Sequence, residues 1–275
     1  MKEIDYAITF ACYNQVEYTK QCIDSMIKHG VDLSRVVVVD NNSSDGTRDY
    51  LDTLPLGGKI YNKTNLGCGV AWNQGALALQ AEWTIVMNND ILVSENWIEN
   101  LIHAAEKNNV KMISPAMIEG ELDYDFEEFV SKTGVNMTGT LRRDGWHAVC
   151  VAIHDSVWQE IGYFQPVPLL LGYEDTLFWH EVLKAKIPCA FTGDSWIHHY
   201  GSMTQKLMRQ ERGLSQKSDL PNRRLCLKYL RMNWLNRKIN RIAKNKREKE
   251  QCAKEVHQHG MAIFGTRVNG QFIWR

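Results

Sequence analysis

The sequence predicts an α/β fold: a mostly parallel central sheet with flanking helices, followed by a basic, mainly helical C-terminal extension. Three observations carry this. Short apolar runs such as Val36-Val37-Val38-Val39 and Trp83-Thr84-Ile85-Val86-Met87 are rich in β-branched residues and stop abruptly at polar ones, as strands covered on both faces do. Amphipathic helical stretches alternate with them, the pattern of βαβ units. Charge is also segregated: residues 1–204 carry 14 Lys and Arg against 27 Asp and Glu, and residues 205–275 carry 18 against 5, within a chain of 275 residues whose net charge is zero. A length of 275 residues supplies a large core without metal or disulfide.

In order, Ala7–Cys12 is the first strand, and a helix from Val16 to His29 follows, with Tyr18, Cys22, Ile23, Met26 and Ile27 as its apolar face and Gly30 as its stop. Arg35–Asp40 is the second strand and completes a βαβ unit. Asn41 to Thr47 is a run of small polar residues suited to a tight loop and a helix N-terminus, with the helix over 47–54. A short strand at Lys59–Tyr61, a loop over 62–69 and a helix over 70–80 lead to the strand at Trp83, which ends in Asn88-Asn89-Asp90. Three βα turns rich in Asn, Asp, Gly and Ser thus fall on one edge of one sheet, where open α/β sheets bind ligands.

Ser94 caps a helix to Lys107, and Val110–Ser114 is a strand ended by Pro115. The periodicity weakens from Ala116 to Trp146, where Thr133–Leu141 fits a hairpin. A strand at Ala148–Ile153, a helix over 155–161, a proline-containing loop over 165–172, a helix opened by Glu174-Asp175, and a strand at Cys189–Thr192 follow. Trp196–Thr204 reads as a loop carrying His198 and His199. We draw a boundary after Thr204, with a catalytic domain over 1–204 and the extension over 205–275. In the extension, 207–213 is a short mobile piece, and a long basic helix covers 222–256, with Leu225, Tyr229, Leu230, Trp234, Leu235, Ile239 and Ile242 on its apolar side. A hairpin around Asn269-Gly270 closes the chain.

Several function classes are excluded or disfavoured. No apolar run approaches the ~20 residues that span a bilayer, so no integral membrane segment is expected. The first strand begins within a few residues of Met1, so no secretory leader is expected. We expect a cytoplasmic protein, peripheral at a membrane if the basic tail meets anionic lipid. The seven cysteines lack a CxxC spacing and suit packed, reduced thiols. No G-x-G-x-x-G follows Cys12, against a NAD-dependent dehydrogenase, and no lysine-rich phosphate signature lies near the first strand, against a nucleotidyltransferase.

Tyr13-Asn14, the run Asp40 to Thr47, Asn65-Leu66-Gly67, Asn88-Asn89-Asp90, Glu174-Asp175 and His198-His199-Tyr200-Gly201-Ser202 occur in an order that resembles the GT-A fold glycosyltransferases of family 2, over about residues 4–204. The resemblance implies an inverting, metal-dependent transfer of a sugar from a nucleoside diphosphate sugar, with uridine the family's preferred base, to a hydroxyl acceptor. It implies that Asp40 meets the base, that Phe10, Ala11, Tyr13 and Asn14 lie beneath it, and that Asn65 and Gly67 run along the ribose and diphosphate. Asn42, Asn73, Asn88 and Asn89 complete the implied nucleotide-binding set. Asp90 would hold Mn2+ or Mg2+ together with His198 or His199, neutralising the leaving diphosphate. Asp175 matches the family's general base, with Glu174 as the second choice. Two departures stand out: the family's metal motif commonly begins with Asp where Asn88 stands here, and the proline often found before Tyr-Asn is absent.

Family resemblance makes a glycan or lipid-linked glycan the first acceptor. The tail, with Arg223, Arg224, Lys228, Arg231, Arg237, Lys238 and Arg241 along one helix, suits an anionic membrane surface or DNA, and DNA would make a hydroxymethylated base the acceptor. A non-catalytic nucleotide-binding module is the reading from a different class.

Overall fold

Four parallel strands form the frame of the computed structural model, which describes residues 4–167, 172–215, 222–231 and 234–275. β1 (Tyr6–Cys12) is followed by α1 (Val16–Lys28), β2 (Val36–Asp40), α2 (Thr47–Asp52), β3 (Gly58–Tyr61), α3 (Cys68–Ala78) and β4 (Trp83–Asn88). Their order in space is β3-β2-β1-β4, all parallel. The chain therefore leaves β1 on one side for β2 and β3 and comes back on the other side as β4. The carboxyl ends at Cys12, Asp40, Tyr61 and Asn88 share an edge, and the reversal between β1 and β4 opens a crevice there. The apolar runs fold this way because both faces are covered: β2 is buried along its whole length. Ile8, Phe10, Val36, Val38, Ile85 and Met87 pack with Cys22, Ile23 and Met26 of α1 in one core.

α3 lies very close to β1. A Cβ built on Gly75 stands 1.7 Å from Thr9 Oγ1 and 2.6 Å from Thr9 Cβ, so only glycine lets the helix settle there. Gly75→Ala is expected to destabilise the fold by about 1–3 kcal/mol in chemical denaturation despite alanine's better helix propensity. An unchanged midpoint would show that the helix can lift away freely.

Beyond β4 the sheet becomes mixed. β5 (Ile91–Val93) leads through α4 (Trp97–Asn108) to β6 (Met112–Gly120). Then come α5 (Phe126–Lys132), a 3-10 turn at Gly134–Met137, β7 (Leu141–Arg143), β8 (Cys150–His154), α6 (Asp155–Ile161), α7 (Glu174–Ala185), β9 (Cys189–His199) and α8 (Met203–Glu211). β8 is antiparallel to β4 and to the start of β6, and β9 runs parallel to β6 but antiparallel to β5 and β7.

Three local expectations are corrected. β6 does not end at Pro115, because a register shift between Pro115 and Ala116 absorbs the missing N–H and lets pairing resume. The hairpin expected at 133–141 is absent: 134–137 is a helical turn, and Leu141 pairs with β9 instead. The stretch from Trp196 to His199 is strand rather than loop, since pairing jumps from Thr192 to Trp196 and then continues to His199 between β5 and β6.

α9 (Arg223–Tyr229) and α10 (Trp234–His259) replace the single helix expected over 222–256, with Arg231 at φ 50° near the break. Residues 168–171 of the expected loop, residues 232–233 of the expected helix, and the side chains of Trp234, Leu235 and Arg237 lie outside what the structure describes. The segment expected to be short and mobile is helical as α8. β10 (Phe264–Val268) and β11 (Gln271–Trp274) form the expected hairpin, with Asn269 and Gly270 both at positive φ. β10 also pairs in parallel with β6, so residues beyond Thr204 complete the main sheet.

The end of α10 is tied to the body by a buried bidentate pair. Arg142 Nε donates to Glu255 Oε1 at 3.0 Å and Nη2 to Oε2 at 2.5 Å, while the N–H of Ile263 and the amide of Gln251 also donate to Glu255. Among the described residues no helix is long and apolar enough to cross a membrane.

Candidate active site

The crevice at the strand ends opens into a cleft of about 1300 Å³. Ala11, Cys12 and Tyr13 from the end of β1, Asn41 after β2, Asn65 before α3, and Asn88, Asn89 and Asp90 after β4 form one end. Glu174 and Asp175 enter from the N-terminus of α7, and Ser202 with Thr204, Gln205 and Met208 of α8 roof it. α8 is fastened over this end by Tyr13, whose hydroxyl donates to Glu211 at 3.0 Å, and by Asp90, whose Oδ2 accepts the Met203 N–H at 2.8 Å.

Asp90 is buried, and its Oδ1 lies 3.3 Å from His199 Nε2. The turn after β9 makes this possible: Gly201 at φ 95° and Ser202 at φ 57° reverse the chain, bringing the Ser202 N–H to 3.2 Å from His199 Nε2. Burial works to raise the Asp90 pKa, but His199 and the Met203 N–H outweigh it and hold the carboxyl below its usual range. An ionised carboxylate beside an imidazole is a donor set that a divalent cation accepts. The 3.3 Å separation suits two adjacent ligands of one ion, which stand about 3 Å apart for bonds of ~2.1 Å. Among the described residues no third His, Cys, Asp or Glu joins them, so other ligands would come from substrate and water.

His198, one residue earlier on β9, points to the other face. Its Nδ1 is 2.9 Å from the Tyr124 hydroxyl, and the rings of Tyr124, Phe126 and Tyr200 surround it. Burial, with His199 adding, pushes its pKa down to about 4, so it is neutral near pH 7. Of the two histidines, the structure brings His199 to Asp90.

Glu174 and Asp175 are unlike neighbours. Glu174 is buried against α3, where a Cβ on Gly69 would stand 3.0 Å from its Cγ, and burial, helped by Asp175, pushes its pKa up. Asp175 is exposed to the cleft: Oδ1 accepts the Thr176 N–H at 2.8 Å, and Oδ2 is left open among the described residues. A carboxyl with a raised folded-state pKa binds its proton more tightly when folded. Stability therefore falls as pH rises from the ordinary carboxylate range through the raised value. Glu174→Gln removes that loss, and its melting temperature is expected above wild type at about pH 7.5 and level with it below about pH 4. A constant offset at both would show that Glu174 does not titrate with folding.

Of the expected nucleotide-binding residues, Ala11, Tyr13, Asn65, Asn88 and Asn89 line the cleft. Phe10 is wholly in the core. Asp40 does not reach the cleft: it is fully buried, with Oδ2 2.5 Å from Arg48 Nε and its oxygens accepting the N–H groups of Asn42 and Ser43. Asn14 likewise braces that loop, its Oδ1 accepting the Ser44 N–H at 2.8 Å. Asn42 is exposed on the same loop, away from the cleft lining. Gly67 caps α3 at φ 88°, behind Asn65, which accepts its N–H. Asn73 grips the backbone of Phe164 by two hydrogen bonds and serves as a tether.

The sequence reading missed Asn41, Trp72, Trp146, Trp179 and the α10 residues Lys244, Arg247 and Lys254, all of which line the cleft. Asn41 had a signal, as the first residue past a buried strand. The others come from segments whose spacing bears no relation to the motifs.

Residues 8–158 match the family model described as glycosyl transferase family 2. An uncharacterised glycosyltransferase of Rickettsia bellii is 30% identical over 107 residues, covering 38% of this chain and 16% of that protein. Another from Rickettsia typhi is 31% identical over 115 residues, 39% of this chain and 35% of the relative. Glycosyltransferase GlyG of Streptococcus pneumoniae is 20% identical over 111 residues, 39% and 37% of the two chains. The matched segments thus span about a sixth to a little over a third of these relatives. Among solved structures, GalNAc-T7 with UDP, GalNAc and Mn2+ superposes with a TM-score of 0.59 at 15% identity, over 72% of this chain and 44% of that one. The mannosyltransferase PcManGT of Pyrobaculum calidifontis, in complex with GDP-Man and Mn2+, gives 0.56 at 17% identity, over 77% and 61%. These neighbours share the GT-A fold that the strand order, the helices and the crevice describe here. With its family model matched over more than half its length, the chain belongs to glycosyl transferase family 2.

Proposed function

We propose that the protein transfers a sugar from a nucleoside diphosphate sugar, a UDP-sugar in the first instance, to a hydroxyl acceptor with inversion at the anomeric carbon. The observation that carries this reading is the sharing of one cleft, outside the carboxyl ends of β1 and β4, by Asp90, which His199 contacts at 3.3 Å from behind the lining, and the open carboxylate of Asp175. Neighbouring structures that contain UDP or GDP-Man with Mn2+ support the donor class.

Asp90 and His199 would hold Mn2+ or Mg2+, which supplies neutralisation of the departing diphosphate. Ala11, Tyr13 and Asn65 border the nucleotide end, and α8 above them limits water at the diphosphate. Asp175 Oδ2 takes the proton of the acceptor hydroxyl as it attacks. A single displacement needs no separate nucleophile and inverts the centre. The acceptor is a glycan or lipid-linked glycan.

One alternative acceptor has its own support. From Lys238 to Arg247, α10 is exposed and carries five Lys and Arg without an acid, which suits DNA phosphates and hence a hydroxymethylated base as acceptor. Salt titration of the intact protein against duplex DNA and anionic liposomes separates the two: steep salt-dependent DNA binding alone favours the base, and liposome binding alone favours a lipid carrier.

The primary test measures nucleoside diphosphate release from UDP- and GDP-sugars with Mn2+ and candidate acceptors. Binding without release would leave a nucleotide-binding module, and no binding would end the donor reading. Asp90→Asn is expected to weaken Mn2+ binding by about 10–100-fold, at least the loss seen for supporting partners of metal ligands, as titrated by calorimetry. Unchanged affinity would move the metal elsewhere.

A further inference from the structure

We propose that the half of the cleft remote from Asp90 is an acceptor subsite that selects a sugar carrying phosphate. This rests on the glycosyl-transfer reading and adds the charge class of the acceptor. The cleft does not stop at the strand ends but continues between the β7–β8 connection and α10. On the helix side Lys244, Arg247, Gln251 and Lys254 stand at i, i+3, i+7 and i+10, the spacing of one helical stripe, and all four line the cleft. Arg143 of β7 lines the same cleft, as do Trp146 and Trp179, with ring centroids 6.4 Å apart.

The charges on these walls are uneven. Lys244 lies 3.6 Å from Glu248 and Lys246 lies 3.9 Å from Glu250, so the carboxylates on this side of α10 are countered along the helix. Among the described residues, Arg247 and Lys254, both exposed, have no carboxylate partner, and Arg143 donates only to the Asn108 carbonyl. Asp144 opposes these three, and Glu248 and Glu250, each paired along the helix, also line this end. Outside the helix pairs, the cleft thus carries Asp90, Glu174 and Asp175 at the transfer end and Arg143, Arg247 and Lys254, against Asp144, at the other.

The cationic end is also held in place. The buried Arg142–Glu255 pair joins β7 to α10, and Arg143 and Lys254 are the immediate chain neighbours of its two members. The pair therefore fixes where β7 meets α10, and with it the helical stripe that carries Arg247 and Lys254 along the cleft. A neutral sugar would use the tryptophan faces and leave the cations idle. A phosphorylated sugar uses both, stacking its ring and placing its phosphate among guanidinium and ammonium donors. Holding the phosphate there fixes which hydroxyl reaches Asp175.

The test is calorimetric titration of the full chain, saturated with UDP and Mn2+, with glucose 6-phosphate and with glucose. The phosphorylated sugar is expected to bind about tenfold more tightly, the yield of two exposed charge contacts, with the preference shrinking at high salt. Arg247→Glu combined with Lys254→Glu, both at exposed positions, is expected to abolish the preference while UDP affinity and melting temperature stay as in wild type. Equal affinity for the two sugars in wild type, or a preference that survives in the variant, overturns the subsite. Failure of UDP to bind would instead count against the donor reading, and the same titrations without UDP still judge the subsite. A prenyl-phosphate-linked glucose in the same assay identifies the source: tighter binding than glucose 6-phosphate points to a lipid carrier, equal binding to a soluble phosphoglycan.

Discussion

Asp175→Asn is expected to lower sugar transfer by about 10²–10⁴-fold, the usual contribution of a positioned general base, while UDP and Mn2+ binding stay at wild-type levels. Asparagine keeps the shape of the side chain and can still accept the Thr176 N–H, and the position is exposed, so the fold is undisturbed. What it loses is the carboxylate proposed to take the acceptor's proton. The measurement is the rate of nucleoside diphosphate release with acceptor present, set beside calorimetric donor binding. Normal turnover in Asp175→Asn together with a dead Glu174→Gln would transfer the role to the buried neighbour. Normal turnover in both would remove the pair from the chemistry.

The largest stability effect is expected at Glu255. Glu255→Ala leaves the guanidinium of Arg142, a residue only 9% exposed, without its carboxylate, and deprives the Ile263 N–H of its acceptor. Removing one member of such a buried pair costs about 3–5 kcal/mol, because the desolvated charge remains. Chemical denaturation measures this, and a loss below about 1 kcal/mol would mean that Arg142 finds water or another partner. Replacing both residues by apolar ones of similar size, Arg142→Met with Glu255→Met, is expected to recover most of the loss. The same variants report on function, since the pair positions the basic face of α10 against the cleft.

The frame of the fold was legible in the sequence because its determinants are local. Val36 to Val39 and Trp83 to Met87 are strands by composition, α1 is a helix by the spacing of Cys22, Ile23 and Met26, and the polar residues after Cys12, Asp40 and Met87 mark the strand ends. Parallel βα units then place those ends on one edge without further information. The hairpin at Asn269-Gly270 was legible for the same reason, as a turn that only residues tolerant of positive φ make.

Harder to see were features that depend on partners far along the chain. Pro115 looks like a strand end until β9 is known to shift its register there, and His198 and His199 look like loop residues until β5 and β6 enclose them. Asp40 looks like a cleft residue until Arg48 and the N–H groups of Asn42 and Ser43 are seen to hold its carboxylate inside.

By itself, then, the sequence determined the α/β frame, the edge on which the site lies and the types of residue gathered there, because strand alternation, helix periodicity and turn chemistry act over a few residues. Only the tertiary structure decided that His199 rather than His198 meets Asp90, that Asp175 is the open carboxylate and Glu174 the buried one, and that α10 faces the cleft through Arg142 and Glu255. Each of those outcomes rests on the packing of segments distant in sequence, which side-chain type and spacing do not encode locally.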